Sequence, residues 1–146
     1  MDGVLYQLPT AFWTVPYVSS RFPGASEVTD LPNLEEGANC QLFAYEVLRH
    51  FGLAAPALRS SELWADTQTT ARVLVAQPLD LVLFNATEDA YGAHVGVWVN
   101  EGRVLHLCAE IGRPAVWETT EFAARERYRV LIGNKRVVDT TQNTVG

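Results

Sequence analysis

Three side chains of this 146-residue chain have the types needed for a thiol nucleophile and its proton-handling partners: Cys40, His94 and His106. A thiol becomes a nucleophile when a nearby base holds its proton. The base keeps one tautomer when a third group binds its other ring nitrogen. Cys40 opens a stretch, Gly37 to Gly52, that reads as one helix. Asn39 is the N-cap, Gly52 the stop, and Phe43, Val47, Leu48 and Phe51 form the apolar face. Amides and dipole at a helix start favour an anion, so this position is expected to favour thiolate over thiol. Taken alone, a cysteine there reads more often as a small buried apolar residue.

The histidines lie on a predicted β-hairpin, Ala93 to Val99 and Arg103 to Ala109, flanking Asn100-Glu101-Gly102. A two-residue loop would put His94 and His106 on opposite faces. A three-residue loop sets Val99 against Arg103, His94 against Cys108 and His106 against Gly96, all on one face. Gly102 at the third loop position is what a type I turn with a G1 bulge requires. The glycine therefore selects the register that brings both rings together, and Gly96 leaves His106 room to reach across. Read singly, each histidine is as readily a satisfied strand residue. Cys108 shares the histidine face and is read as core packing, and His50, late in the helix, is given no chemistry. A metal set of Cys40, His94, His106 and Cys108 lacks close ligand pairs apart from His106-x-Cys108, so no metal and no cofactor is predicted.

The elements that must carry these residues follow from the rest of the chain. Prolines at 9, 16, 23 and 32 break residues 1–36 into short pieces, with Phe12, Trp13, Tyr17 and Phe22 as core or cleft-wall aromatics. Residues 1–14 read as an N-terminal extension and 26–36 as a polar connection. A short helix is expected from Ser60 to Asp66, with Thr69 to Val75 left between helix and a new element. A strand is expected from Pro78 to Phe84, then a polar loop to Gly92. A further strand at Ala115 to Trp117, a short helix at Thr119 to Ala123, a strand from Arg127 to Ile132 and a frayed tail at 139–146 complete the order.

The length is that of a single domain, 1–146, burying roughly 68% of its unfolded surface. The composition, 48% hydrophobic and 19% charged, is that of an ordinary globular protein. A net charge of −6 disfavours nucleic acid and anionic lipid as partners. No signal peptide and no apolar run of membrane-spanning length is seen, so the chain is expected to be cytoplasmic as synthesised, with export by a non-classical route left open. Oligomeric state is not legible.

The order and spacing of these pieces resemble the NlpC/P60 cysteine peptidases, whose pattern runs Asp-Cys-Ser-Gly, Gly-Asp-Leu-Val-Phe-Phe, His-Val-Gly-Ile and Ile-His-Ala. The matching stretches are Asn39-Cys40-Gln41-Leu42, Leu79 to Phe84, His94-Val95-Gly96-Val97 and Leu105-His106-Leu107. Val15-Pro16-Tyr17-Val18 resembles the family's Pro-Tyr element, and Gly133-Asn134-Lys135-Arg136-Val137 its closing Gly-Ala-Arg-Arg-Val. The resemblance spans most of residues 15–138. It implies an α+β, papain-like fold in which the Cys-bearing helix packs on a central antiparallel sheet. It implies Cys40 as nucleophile, His94 as base and His106 as orienter of a hydrolase that cleaves amides through a thioester. The substrate it implies is a small peptide or muropeptide, such as a peptidoglycan stem peptide. Tyr17, Asn39 and Gln41 then fall at substrate-binding positions. Asn39 and Gln41 replace the family's Asp and Ser, so an ammonium group would lose its charge partner. Two other readings stand beside this one. Asn39-Cys40-Gln41-Leu42-Phe43 resembles the Asn-Cys-x-His-Phe of lecithin-retinol acyltransferase relatives, but with Leu42 for the motif His and the Cys before rather than after the histidines. A catalytically degenerate binding module on the same fold is the non-enzyme reading.

Overall fold

The computed structural model describes residues 3–138. The expected tail at 139–146 lies outside them. Five helices, α1 (Gly3–Gln7), α2 (Ser26–Asp30), α3 (Cys40–His50), α4 (Ser60–Ala65) and α5 (Thr119–Ala123), accompany six strands. The strands are β1 (Thr70–Val73), β2 (Leu81–Asn85), β3 (His94–Asn100), β4 (Arg103–Leu107), β5 (Pro114–Glu118) and β6 (Val130–Val137). They form one antiparallel sheet in the order β1-β6-β2-β3-β4-β5. This is an α+β arrangement, as the resemblance implies.

The helix α3 forms where the residues place it. The Asn39 side chain accepts from the Leu42 amide at 2.8 Å, capping the first turn. Gly52, at φ 88°, ends the helix, and Leu53 N–H closes back on the Leu48 carbonyl at 3.0 Å. Phe43, Val47 and Leu48 are fully buried and hold the helix across β3 and β4.

Period-two alternation divides the sheet into two cores. Leu81, Leu83, Val95, Val97, Leu105 and Leu107 face α3 in an aliphatic cluster. Val82, Phe84, Val104 and Cys108 face the other way, joining Trp117, Phe122 and Tyr128 in an aromatic cluster under α5. Both histidines belong to this second face, where their rings meet Phe122.

The hairpin register is the predicted one, by a different turn. Val97 pairs with Leu105 and Trp98 with Val104, but Asn100 then pairs with Arg103 after a one-residue slip. The tip is therefore the two residues Glu101 and Gly102, both at positive φ, and the extra residue is absorbed beside Val99 as a bulge. Gly96 lies against β4 so closely that a Cβ would meet Val104 Cγ1 at 2.5 Å and His106 Cβ at 3.3 Å.

Two other stretches differ from expectation, and a third, left open between helix and a new element, is a strand. Residues 3–14 pack on the body: Val4 and Leu8 are buried in the aliphatic core, with Phe12 and Trp13 packed against it. Residues 26–36 contain α2 and a 3-10 turn, gathered by the buried Arg21, whose guanidinium donates to the carbonyls of Glu27, Leu31, Asn33 and Gly37. Thr70 to Val73 is an edge strand, anchored where the Asp66 carboxylate accepts from both Thr69 and Thr70.

Candidate active site

A cleft of about 270 Å³ opens where β3 begins, lined by Tyr17, Cys40, His94, Cys108, Arg127 and Tyr128 together with the loop after Asn85. Each wall comes from a different element. The N-terminus of α3 supplies Cys40. Val18 N–H to Ala38 O and Ala38 N–H to Pro16 O lock the segment bearing Tyr17 alongside that helix start. Asn85 donates to the carbonyls of Asp89 and Tyr91, at 2.7 and 3.1 Å, and so shapes the polar loop into a wall.

The imidazoles meet. His94 Nε2 and His106 Nδ1 lie 2.9 Å apart, with the rings nearly perpendicular at 86°. His94 lines the cleft, while His106 sits behind it, 1% exposed. The surroundings of His106 bear on its tautomer. Its Nε2 is buried without a hydrogen-bond partner, and its ring is packed by Trp117 and Phe122, with centroids 4.2 and 4.7 Å away. The negative faces of aromatic rings accept an N–H weakly and repel a lone pair. With its proton on Nε2, His106 leaves Nδ1 to accept from His94 Nε2–H. His94 Nδ1 is then bare, the nitrogen able to take a proton.

Burial dominates the electrostatics. It lowers His94 to about 3, helped by the Arg127 charge, and His106 to about 2, helped by His94 and Arg125. Burial also pushes the Cys40 thiol up, against the backbone amides of Val95 and Gln41 that favour its anion. The preference of the helix start for an anion is thus opposed by desolvation, the larger of the two effects on Cys40. Transfer of the proton between thiol and imidazole creates both charges at once, so each offsets the other's desolvation. Burial also raises the Tyr17 hydroxyl.

Cys40, His94 and Tyr17 thus line one cleft with His106 behind, whereas Asn39 and Gln41 do not line it. Asn39, 8% exposed, is spent on the helix cap. Gln41 turns inward, donating to the Leu58 carbonyl at 2.7 Å and to the Tyr45 hydroxyl at 3.1 Å. The i+1 position on the helix points away from the cleft, so a substrate-binding role for these two does not fit their placement. Cys108, read as core packing, is buried and also lines the cleft. Arg127 and Tyr128 were not legible as site residues: they arrive from a 3-10 turn, Glu126–Tyr128, that no periodicity marks. The packing of Tyr128 against His94, centroids 4.7 Å apart and rings tilted by 32°, holds that turn against the site. Among the described residues, no group of three or more His, Cys, Asp or Glu side chains is arranged to hold a metal ion, and no helix is long and apolar enough to cross a membrane.

No family model and no curated protein sequence matches the chain. Solved structures do. A lipoprotein-like protein of the NLP/P60 family from Staphylococcus aureus superposes with a TM-score of 0.56 at 25% identity, covering 94% of this chain and 40% of that one. The NlpC/P60 domain of the peptidoglycan hydrolase SagA gives 0.56 at 18% identity, over 92% of this chain and 95% of that one. The P60 domain of an antigen from M. avium subspecies paratuberculosis gives 0.55 at 14% identity, over 92% and 90%. With the Cys-bearing helix packed across a central antiparallel sheet, this chain has the NlpC/P60 fold.

Proposed function

We propose that the protein is a cysteine amidase or endopeptidase acting on peptidoglycan stem peptides or related small peptides. One observation carries this reading: the 2.9 Å His94–His106 bond behind a cleft that Cys40 and His94 share. That bond commits His94 Nε2 and frees Nδ1 to act as the base.

In the proposed reaction, the Cys40 proton passes to His94 Nδ1 as the sulfur attacks the amide carbonyl carbon. The Cys40 amide at the helix start and the Tyr17 hydroxyl are donors for the developing oxyanion. His94 returns the proton to the departing amine, leaving a thioester on Cys40. Water, deprotonated by the same His94, cleaves the thioester and restores the thiol. His106 accepts from His94 throughout and holds the imidazolium when it forms.

The fold relation to a peptidoglycan hydrolase domain supports the choice of stem peptides. A second reading, a binding module without turnover, is favoured by the raised thiol, because a protonated sulfur is a poor nucleophile. Mass spectrometry of defined muropeptides after incubation with the protein separates the two. Cleavage by the wild type, lost in Cys40→Ala, is expected. Undiminished cleavage by Cys40→Ala would refute the mechanism, and binding without cleavage by the wild type would establish the module.

A further inference from the structure

The cleft has an unbalanced charge. Among the described residues no Asp or Glu lines it, and Arg127 is its one side chain of fixed charge, in a chain whose net charge is −6. The arginines on either side are occupied. Arg125 donates to the Glu110 carboxylate at 3.1 Å, and Arg129 to the Ala86 carbonyl at 3.0 Å. Arg127 meets no carboxylate and donates to no carbonyl among the described residues; its guanidinium carbon lies 5.7 Å from the centre of the Tyr128 ring. Its backbone is nevertheless held firmly, because the next residue, Tyr128, is buried against His94 and Phe122. A fixed anchor thus offers an uncommitted guanidinium to the space in front of the base.

We infer that Arg127 determines specificity by binding a carboxylate of the substrate close to the scissile amide, so that the cleft selects anionic peptides. This rests on the hydrolase reading and names its substrate class. A guanidinium pairs with a carboxylate through two parallel N–H bonds, a geometry that a carboxamide cannot match. A substrate ammonium finds no carboxylate partner among the described lining residues, and Asn39 is neutral and turned to the helix cap. The pairing also bears on the base. Arg127's charge opposes protonation of His94, and a bound carboxylate would cancel that opposition as the thiol proton arrives. Part of the discrimination therefore falls in kcat rather than KM.

The test uses stem peptides with a γ-linked glutamate followed by a diamino acid, in four forms: both α-carboxyls free, either one amidated, or both amidated. In the wild type, at least one amidation is expected to lower kcat/KM by roughly ten- to a hundredfold, the size of one charge-assisted hydrogen bond. In Arg127→Gln the ratio of free to amidated rates is expected to fall to near one, with Arg127→Lys intermediate. Equal rates for all four peptides in the wild type, or a ratio that survives Arg127→Gln, overturn the inference and leave the hydrolase reading standing. If the wild type cleaves none of them, that reading fails, and calorimetric binding of the same peptides to Cys40→Ala protein decides the inference by itself. Tighter binding of the free acid, lost in Cys40→Ala/Arg127→Gln, sustains it. Equal or absent binding sinks it.

Discussion

The two faces of the sheet do different work with different side chains. The face under α3 is aliphatic, built from Leu and Val with Phe43, and it positions the nucleophile by fixing a helix. The opposite face is aromatic, with Phe84 stacked on Phe122 at 4.0 Å and two imidazoles set among Trp117, Phe122 and Tyr128. Aliphatic packing is non-directional and holds an element in place. Aromatic packing has faces and edges, so it can distinguish an N–H from a lone pair and set a tautomer. The two faces meet at the start of β3, where consecutive residues point oppositely: His94 belongs to the aromatic side, while the Val95 amide reaches the Cys40 sulfur from the other.

Substitutions on each face should therefore fail differently. His94→Ala should cost about 10² to 10⁴ in kcat with the fold intact, as read by steady-state kinetics beside circular dichroism. Leu48→Ala, on the aliphatic face, should cost about 2–5 kcal/mol of stability with little change in kcat per folded molecule, as read by urea unfolding. A large loss of kcat at unchanged stability in Leu48→Ala would erase the distinction. Gly96→Ala strikes between the faces. The added methyl must displace Val104 or His106, costing about 1–3 kcal/mol and also turning the orienter, so both readouts should move together.

Acid should act on the aromatic face. Both histidines titrate lower when folded, from the ordinary 6.5 to about 3 and about 2. The unfolded chain therefore takes up more protons below pH 6.5. The stability tied to the neutral pair is complete above that pH and is lost as the pH falls towards 3. The drop in Tm from pH 7 to pH 4 should be smaller in His106→Gln than in the wild type. An identical drop would mean that the pair does not titrate with unfolding. The smallest effect is expected at Asn39. Asn39→Ala should remove about 1 kcal/mol of helix stability, and Asn39→Ser should restore most of it without altering KM. A change in KM with Asn39→Ser would return this residue to the substrate.

What was legible in the chain is what repeats locally. The helix over Cys40 announced itself through Asn39, its apolar spacing and Gly52. The hairpin did so through alternation around a glycine, and register arithmetic then brought His94 and His106 together. The state of the sulfur was not legible, because desolvation depends on what the fold stacks over Cys40, and sequence shows only the helix end. Gln41 was misplaced for a related reason. One step along a helix turns a side chain by about 100°, so adjacency to Cys40 in the chain says little about adjacency to the cleft. Arg127 and Tyr128 come from a short irregular turn between α5 and β6, and only the packing of Tyr128 on His94 reveals where they point.

The bulge beside Val99 has a consequence for how this chain can change. Side chains alternate along each strand, so the bulged residue works as a parity device: it decides whether the second imidazole faces the first or the far layer. Loss of Val99 alone would join the Trp98–Val104 and Asn100–Arg103 pairs into one continuous ladder with the ring pair kept, whereas straightening the bulge with Val99 retained would slip the strand by one residue and part the rings. Among workable descendants of this chain, loss of the bulged residue should therefore be tolerated, while a one-residue insertion at the tip of Glu101 and Gly102 should not, unless a second change restores the parity.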